Sequence, residues 1–337
     1  MSSLECSEIA PSMLAGRRVL LVCPQTFDYH RLLRDELGLH GAQVDCFTEN
    51  LENTAYAIAR RLGSRGLSAY KDFFRRTVAR QAAQVEYDFI LVVRGEFLNR
   101  AWLEWLRAAQ PQARMVMYQW DPVRIHDFRP VIDVFDRVAS FDRADCEQYG
   151  LDYLPLFFCR DLDRLRDGGD EPRWDLTFVG TLHSDRTRIA LDLAEQAAAA
   201  GLSTFLFFYL TWTSYTKQAW IQRTIPRRVP HLSLRPMPRS RLLEIIGRSR
   251  AVIDVNKPEQ TGLTMRTMEV LGAGRKLITT NEHVRMEPFY SPEVVDVVDR
   301  DAPALDTDFV VASHAPADVH RQRLDRWLLD LLGDRAA

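Results

Sequence analysis

Residues 256–281 read NKPEQTGLTMRTMEVLGAGRKLITTN, and the order of residue types in this stretch decides the fold class. An apolar run, AVIDVN (251–256), leads into it and has the Val and Ile content of a buried strand ending at Asn256. A loop containing Gly262 follows, Thr264 is placed to cap a helix, and Gly272 and Gly274 close that helix before a second strand, RKLITTN (275–281). Strand, short glycine loop, helix and apolar strand make the repeating unit of a parallel α/β sheet. The helix start also has a chemical meaning. Its first backbone N–H groups have no partner inside the helix, and the positive end of the helix dipole lies there, which suits a diphosphate. Lys257, Gly262, Leu263 and Thr264 lie along this loop, and Arg266 adds a fork of donors in the first turn. Glu269 stands one turn on, about 5 Å further along the axis, where a carboxylate can accept from two ribose hydroxyls. The alternative is a purely structural strand, loop and helix carrying an ordinary surface glutamate.

The same alternation runs outward in both directions. Toward the N-terminus, RRVLLVC (17–23), AQVDCF (42–47), YDFILVV (87–93), ARMVMYQ (113–119) and DRVASF (136–141) read as strands. Helical stretches at 29–40, to about 84, and at 99–109 separate them. WDLTFVGT (174–181), STFLFFYL (203–210) and EVVDVVD (293–299) add strands to the C-terminal half. Between the first two of these lies a helix over 184–201, with Ser184 as its N-cap and Gly201 past its end. Runs of Val, Ile and Leu between helices are what a parallel sheet covered on both faces produces. A chain of 337 residues exceeds what one core usually supports, so two domains are expected. The fold class is therefore α/β, two Rossmann-like doubly wound domains with a C-terminal helix. The N-terminal domain covers 1–159, a polar linker 160–173, and the C-terminal domain 174–315. The closing helix, 316–333, has the apolar spacing to pack back toward the N-terminal domain.

Composition excludes several classes. The formal net charge of -2 gives no global reason to expect a nucleic-acid partner. Five cysteines, odd in number and without a CxxC pair, argue against a disulfide framework or a zinc ribbon and read as reduced thiols in the cytoplasm. MSSLECSEIAPSML at the N-terminus lacks the basic and apolar regions of a secretion signal. The longest apolar run, FLFFYLTW (205–212), is well short of the ~20 residues of a membrane span. Neither half opens with GxGxxG after its first strand (CPQTFD and VGTLHSD stand there), which disfavours a dinucleotide dehydrogenase.

With Gly262, Leu263, Arg266, Glu269, Ala273 and Gly274 in this order, the chain resembles group 1 and spore-maturation-type glycosyltransferases of the GT-B fold. The resemblance implies an N-terminal acceptor domain and a C-terminal nucleotide-sugar donor domain, with Glu269 on the nucleotide ribose. It implies transfer of a sugar to a glycan or lipid-linked acceptor in bacterial cell-surface polysaccharide synthesis. It implies neither metal nor cofactor, the nucleotide-sugar being substrate. One departure stands out. Retaining members carry a second Glu eight residues before the ribose Glu, and Thr261 stands there. In the same family the first strand-to-helix loop of the donor domain faces the phosphates, which nominates Gly180, Thr181, His183 and Arg186; Arg188 reads instead as part of a solvated face. RPMPRSRLLEII (235–246) resembles the donor-base loop, with Met237 or Pro238 near the base.

A transferase also needs a group that activates the acceptor hydroxyl. Strand ends of the N-terminal domain offer, in order of preference, Asp28, Glu96, Asp121 and His30, each of which could instead cap a helix or orient a loop. Asp161-Leu162-Asp163 has the form of a metal-binding DxD but lies in the linker, so it is read as chance. Nine Lys or Arg residues between Lys217 and Arg250 face one acid, Glu244, a local excess that could meet a phosphate-bearing acceptor or place the protein peripherally at the inner face of a membrane. Two other readings stand beside the transferase. One is a non-hydrolysing nucleotide-sugar epimerase, and the other is a non-catalytic nucleotide-sugar binding partner.

Overall fold

Val19, Leu20, Leu21 and Val22 are all fully buried, as a strand with helices on both faces requires. They belong to β1 (Arg18–Pro24) in a computed structural model that describes residues 13–25, 28–51, 53–168, 171–182, 185–216 and 232–333. After β1 come α1 (Tyr29–Leu39), β2 (Gln43–Glu49), α2 (Thr54–Arg61), α3 (Gly63–Ala82), β3 (Phe89–Val93), α4 (Arg100–Ala109), β4 (Arg114–Gln119), β5 (Arg137–Ser140), α5 (Arg143–Tyr149) and β6 (Asp152–Tyr153). These strands form one parallel sheet in the order β2-β1-β3-β4-β5-β6. The chain moves from β1 to β2 on one side and then returns as β3 on the other, so the strand order reverses between β1 and β3. The long helical region expected up to residue 84 is two helices, broken where Gly63 takes a φ of 77°.

A second compact unit spans Leu156–Arg323. Its elements are α6 (Asp163–Gly168), β7 (Trp174–Thr181), α7 (Arg186–Ala199), β8 (Thr204–Tyr209), α8 (Trp212–Thr216), β9 (Leu232–Ser233), α9 (Arg239–Gly247), β10 (Ser249–Asp254), α10 (Met265–Gly272), β11 (Lys276–Thr279), β12 (Val295–Val297) and α11 (Thr307–Val311). The parallel sheet runs β12-β11-β10-β7-β8-β9, with its reversal between β7 and β10. Two six-stranded parallel sheets flanked by helices make the fold α/β with two Rossmann-like units. The division falls after Pro155 and not inside 160–173. Polar composition hid two anchors there: Leu162 is fully buried, and Leu165 packs so close to Gly247 that a Cβ at that glycine would lie 2.7 Å from it. Ser184, expected as a helix cap, lies outside the described residues.

The last helix, α12 (Leu324–Leu332), groups with the first unit, which comprises Met1–Pro155 and Leu324–Ala337. It is shorter than the apolar spacing over 316–333 suggested; residues 320–322 form a separate 3-10 turn. Trp327, Leu328, Leu331 and Leu332 are fully buried against α1 and β4. The Trp327 ring meets Tyr118 edge-on at 4.6 Å, and its Nε1 donates to the Pro155 carbonyl at 2.9 Å. Arg137 donates to the Leu331 carbonyl at 3.0 Å and Arg114 to the Gly333 carbonyl at 2.9 Å, so guanidinium groups satisfy the helix's last carbonyls. Truncation of Trp327 removes a large buried ring and strands a carbonyl. Trp327→Ala is expected to destabilise the first unit by about 3–5 kcal/mol, read as an earlier urea transition; a loss under about 1 kcal/mol would show that α12 adds little.

Candidate functional site

Open α/β sheets bind ligands outside the carboxyl ends of their strands, where strand order reverses. In the second unit that place lies between the ends of β7 and β10. Asp254, the last residue of β10, is buried, and its Oδ2 accepts from the hydroxyls of Thr264 (2.5 Å) and Thr267 (2.7 Å). Thr264 is the N-cap of α10, its Oγ1 accepting from the Thr267 amide at 3.1 Å. The strand end thus fixes where the helix begins. Side-chain amides lace the loop between them: Asn256 donates to the Gln260 carbonyl (2.8 Å), Gln260 to that of Gly262 (2.8 Å), and Asn281 to those of Thr261 (3.2 Å) and Gly262 (3.1 Å). Gly262 and Leu263 are buried within it, and Lys257 is exposed on its outer side.

Arg186, at the start of α7, spans the reversal. Its Nε and Nη2 donate to the Val255 carbonyl at 3.0 and 2.7 Å, and its Nη1 donates to the Thr181 hydroxyl at 3.1 Å. Burial lowers its affinity for a proton, and Arg266 and Arg300 act in the same direction. At Gly180 an added Cβ would lie 2.7 Å from the Phe178 ring, so glycine makes room for Phe178. His183 lies outside the described residues. Met237 is half-buried just ahead of α9.

Glu269 is buried on α10, and both of its oxygens are engaged. Arg266 Nη1 reaches Oε2 at 3.0 Å, and Arg239 Nη1 reaches Oε1 at 2.9 Å. Arg239 also forks onto both oxygens of Asp161 at 3.0 Å. Asp161 is therefore an ion-pair partner, while Asp163 turns to Arg323 at 3.2 Å. Among the described residues no group of three His, Cys, Asp or Glu side chains is placed to hold a metal. Sequence reasoning missed Arg239 as part of this network, having read it within the basic 217–250 stretch. Three of that stretch's cations are spent internally: Arg239 here, Arg241 on Glu244 (2.6 Å) and Arg250 on Asp175 (2.9 Å). Lys217, Arg223, Arg227 and Arg228 lie outside the described residues. Arg300 was also missed. It holds Asp185 through both oxygens (3.0 and 2.8 Å), the carbonyl and side chain of Asn256 (both 2.8 Å) and the Thr280 hydroxyl (3.1 Å).

In the first unit the reversal lies between β1 and β3, and backbone strain marks both exits. Among the described residues only two that are not glycine have positive φ: Asp28 after β1 (63°) and Arg94 after β3 (66°). Asp28 is exposed at the start of α1, with Arg31 3.6 Å away. His30 is buried in the first turn of the same helix with its Nδ1 unpaired; burial, then Arg31, lowers its affinity for a proton. Around Arg94 the chain assembles a cluster. Arg94 lies 3.3 Å from Asp121 and 3.6 Å from Glu96; Lys71 reaches Glu96 at 3.2 Å and His126 Nδ1 reaches it at 3.1 Å. His126 Nε2 faces the Arg94 carbonyl at 3.1 Å. The structure thus brings Glu96 and Asp121 together but leaves Asp28 and His30 on α1. Its hydrogen bond with His126 is the chief reason that the Glu96 carboxyl falls to about 2. A carboxylate that acidic is a weak proton acceptor near neutrality and a ready hydrogen-bond acceptor.

Beneath Glu96 lies Glu49, at the end of β2 and fully buried. Its Oε2 accepts from the Glu96 amide at 2.9 Å and its Oε1 from the Phe97 amide at 2.6 Å. Burial outweighs these two bonds and raises its carboxyl to about 7.

No family model matches this chain, and no curated protein matches it in sequence. Solved structures do share its fold. The structure described as OtsA in its apo form superposes with a TM-score of 0.57 at 10% identity, covering 94% of this chain and 99% of that one. The N-terminal domain of a Candida albicans trehalose-6-phosphate phosphatase gives 0.54 at 10% identity, over 95% and 93%. The lipopolysaccharide outer core galactosyltransferase WaaB, also apo, gives 0.52 at 11% identity, over 93% and 98%. Identities this low speak to the fold, which matches the two Rossmann-like domains of GT-B proteins.

Glu49 makes the first unit sensitive to pH. The folded chain holds this proton more tightly than the unfolded chain does, so the stability it contributes is whole below about pH 4.5 and is lost as pH rises through about 7. The difference in unfolding free energy between the native chain and Glu49→Gln is expected to change by about 3 kcal/mol between about pH 5 and pH 8. Urea denaturation at the two pH values reads it; parallel curves would place the Glu49 proton elsewhere.

Proposed function

We propose that the chain is a metal-independent glycosyltransferase that moves a sugar from a nucleotide-sugar donor to a glycan or lipid-linked acceptor, of the spore-maturation type and in bacterial cell-surface polysaccharide synthesis. The observation that carries the reading is the α10 start. A helix N-terminus pinned by Asp254 at the strand-order reversal stands beside Arg186, Arg266 and Arg300, with a buried glutamate one turn inside. First-turn amides and guanidinium groups suit the diphosphate. Glu269, a buried carboxylate held between Arg239 and Arg266 one turn inside the helix, suits the ribose as a hydrogen-bond acceptor. The fold shared with WaaB, described as a galactosyltransferase, supports the same reading.

The first unit supplies the acceptor side. Glu96, strongly ionised and flanked by Lys71 and His126, holds an acceptor hydroxyl as a hydrogen-bond acceptor. Asp28 takes its proton, being exposed, held in the left-handed region and placed at the strand-order reversal. A nucleotide-sugar epimerase is the second reading, favoured by the several acid and base groups gathered around Arg94.

Screening UDP-, GDP-, dTDP- and CMP-sugars by thermal shift tests the donor site. One of them at about a hundred times its Kd is expected to add about 2.7 kcal/mol of stability, and Glu269→Gln should weaken that ligand about tenfold. No shift with any nucleotide-sugar would remove the central claim. Asp28→Asn, which keeps a residue tolerant of the left-handed region, is expected to lower transfer by about 10²–10⁴ with donor affinity unchanged. Conversion of the donor in the absence of any acceptor would favour the epimerase.

A further inference from the structure

Helices α2 and α3 form a hairpin in the first unit, and Lys71 on its inner side serves the acceptor cluster, while its outer side takes no part in the donor and acceptor chemistry. Its inner faces meet through Tyr56 and Tyr70, ring centroids 5.6 Å apart, both against Phe97. Gly66, in the first turns of α3, lets the two helices approach so closely that a Cβ there would lie 2.5 Å from the Ala59 carbonyl oxygen. The outer side is unusual for a soluble helix pair. Leu62 at the apex and Phe73 on α3 are each 70% exposed and Ile58 on α2 is 52% exposed, while α3 buries only Val78 and Ala82.

The charges follow the same division. Residues 54–82 carry seven Lys or Arg and one acid, Asp72. Two of the cations work inward: Lys71 reaches Glu96, and Arg75 donates to the Phe97 carbonyl at 2.6 Å and pairs with Asp72. That leaves Arg60, Arg61, Arg65, Arg76 and Arg80, all exposed, none in an ion pair among the described residues. Phe73, Arg76 and Arg80 follow one another at i, i+3 and i+7, one face of α3, and Ile58 and Leu62 are one turn apart.

We propose that this hairpin docks on an anionic lipid bilayer, with Ile58, Leu62 and Phe73 entering the interface and the five arginines meeting headgroup phosphates. Exposed apolar side chains set among unpaired guanidinium groups, with the hairpin's one acid held by Arg75, are complementary to a negative surface with an apolar interior. Arginine suits this position because its stem can lie along the acyl boundary while its head stays in water. Among the described residues no helix is long and apolar enough to cross a membrane, so the contact is peripheral. The inference goes beyond the transferase reading, since it concerns a different surface.

Flotation of the full chain with vesicles of phosphatidylglycerol and phosphatidylcholine, against phosphatidylcholine alone, tests it with no nucleotide or sugar present. The chain is expected to float with the anionic vesicles only, and Leu62→Glu with Phe73→Glu should cut the bound fraction at least about tenfold. Both positions are exposed, so the thermal midpoint should not move. Absence from both vesicle types, equal binding to both, or an unchanged bound fraction in the double variant would overturn the proposal. So would a dimer, seen by light scattering, that the double variant disperses without any lipid binding. None of these outcomes bears on the donor site, which is read by nucleotide-sugar binding.

Discussion

A buried carboxylate at the end of a parallel strand organises each unit. Asp254 closes β10 and holds two threonine hydroxyls, so α10 begins at one place. Glu49 closes β2 and holds two backbone amides, so the strained turn after β3 presents Glu96 in one orientation. In both, a group costly to bury is kept because its oxygens satisfy donors that the loop would otherwise leave unpaired. At Glu49 the two amides favour the charged carboxylate, but burial outweighs them and its proton is retained toward neutrality.

Much of this fold was legible because its signals are local. Val19 to Val22 and Phe89 to Val93 could hardly be anything but buried strands, and Thr264 before an apolar helix names its own role. The same holds for α12, whose apolar spacing is visible even though its start at Leu324 is not. The linker was misplaced for an equally physical reason. Between 160 and 173 the charged residues outnumber the apolar ones, yet two leucines, Leu162 and Leu165, suffice to anchor the segment.

The site was less legible than the fold. Arg300 meets Asp185 across 115 positions, Arg239 meets Asp161 across 78, and His126 meets the Arg94 carbonyl across 32. No periodicity carries such separations. Arg239 was hidden among nine cations read together as a surface for phosphate or membrane, which gave no sign of the two carboxylates it pairs with. Asp161 was hidden differently, by a three-residue pattern that suggested a metal in the wrong place. Asp28 and Arg94 carry a signal no sequence shows at all, a positive φ at a residue other than glycine. Only the backbone reveals that both exits flanking the first reversal are strained.

The second unit's charges constrain how an anion could bind there. Arg186, Arg239, Arg266 and Arg300 stand against Asp161, Asp185, Asp254 and Glu269, so the formal charges balance before any ligand arrives. Among these eight groups a diphosphate would therefore find no excess of positive charge. Its affinity must come from donors already aimed at the crevice, the first-turn amides of α10, and from guanidinium groups that share their N–H donors between a carboxylate and phosphate oxygens. Arg266 fits the second role, because a guanidinium has five N–H donors and one sits on Glu269. The pairing also protects Glu269. A carboxylate this buried, left without Arg239 and Arg266, would be an uncompensated charge in the interior. The two arginines thus give this buried carboxylate the opposite charge that its burial requires.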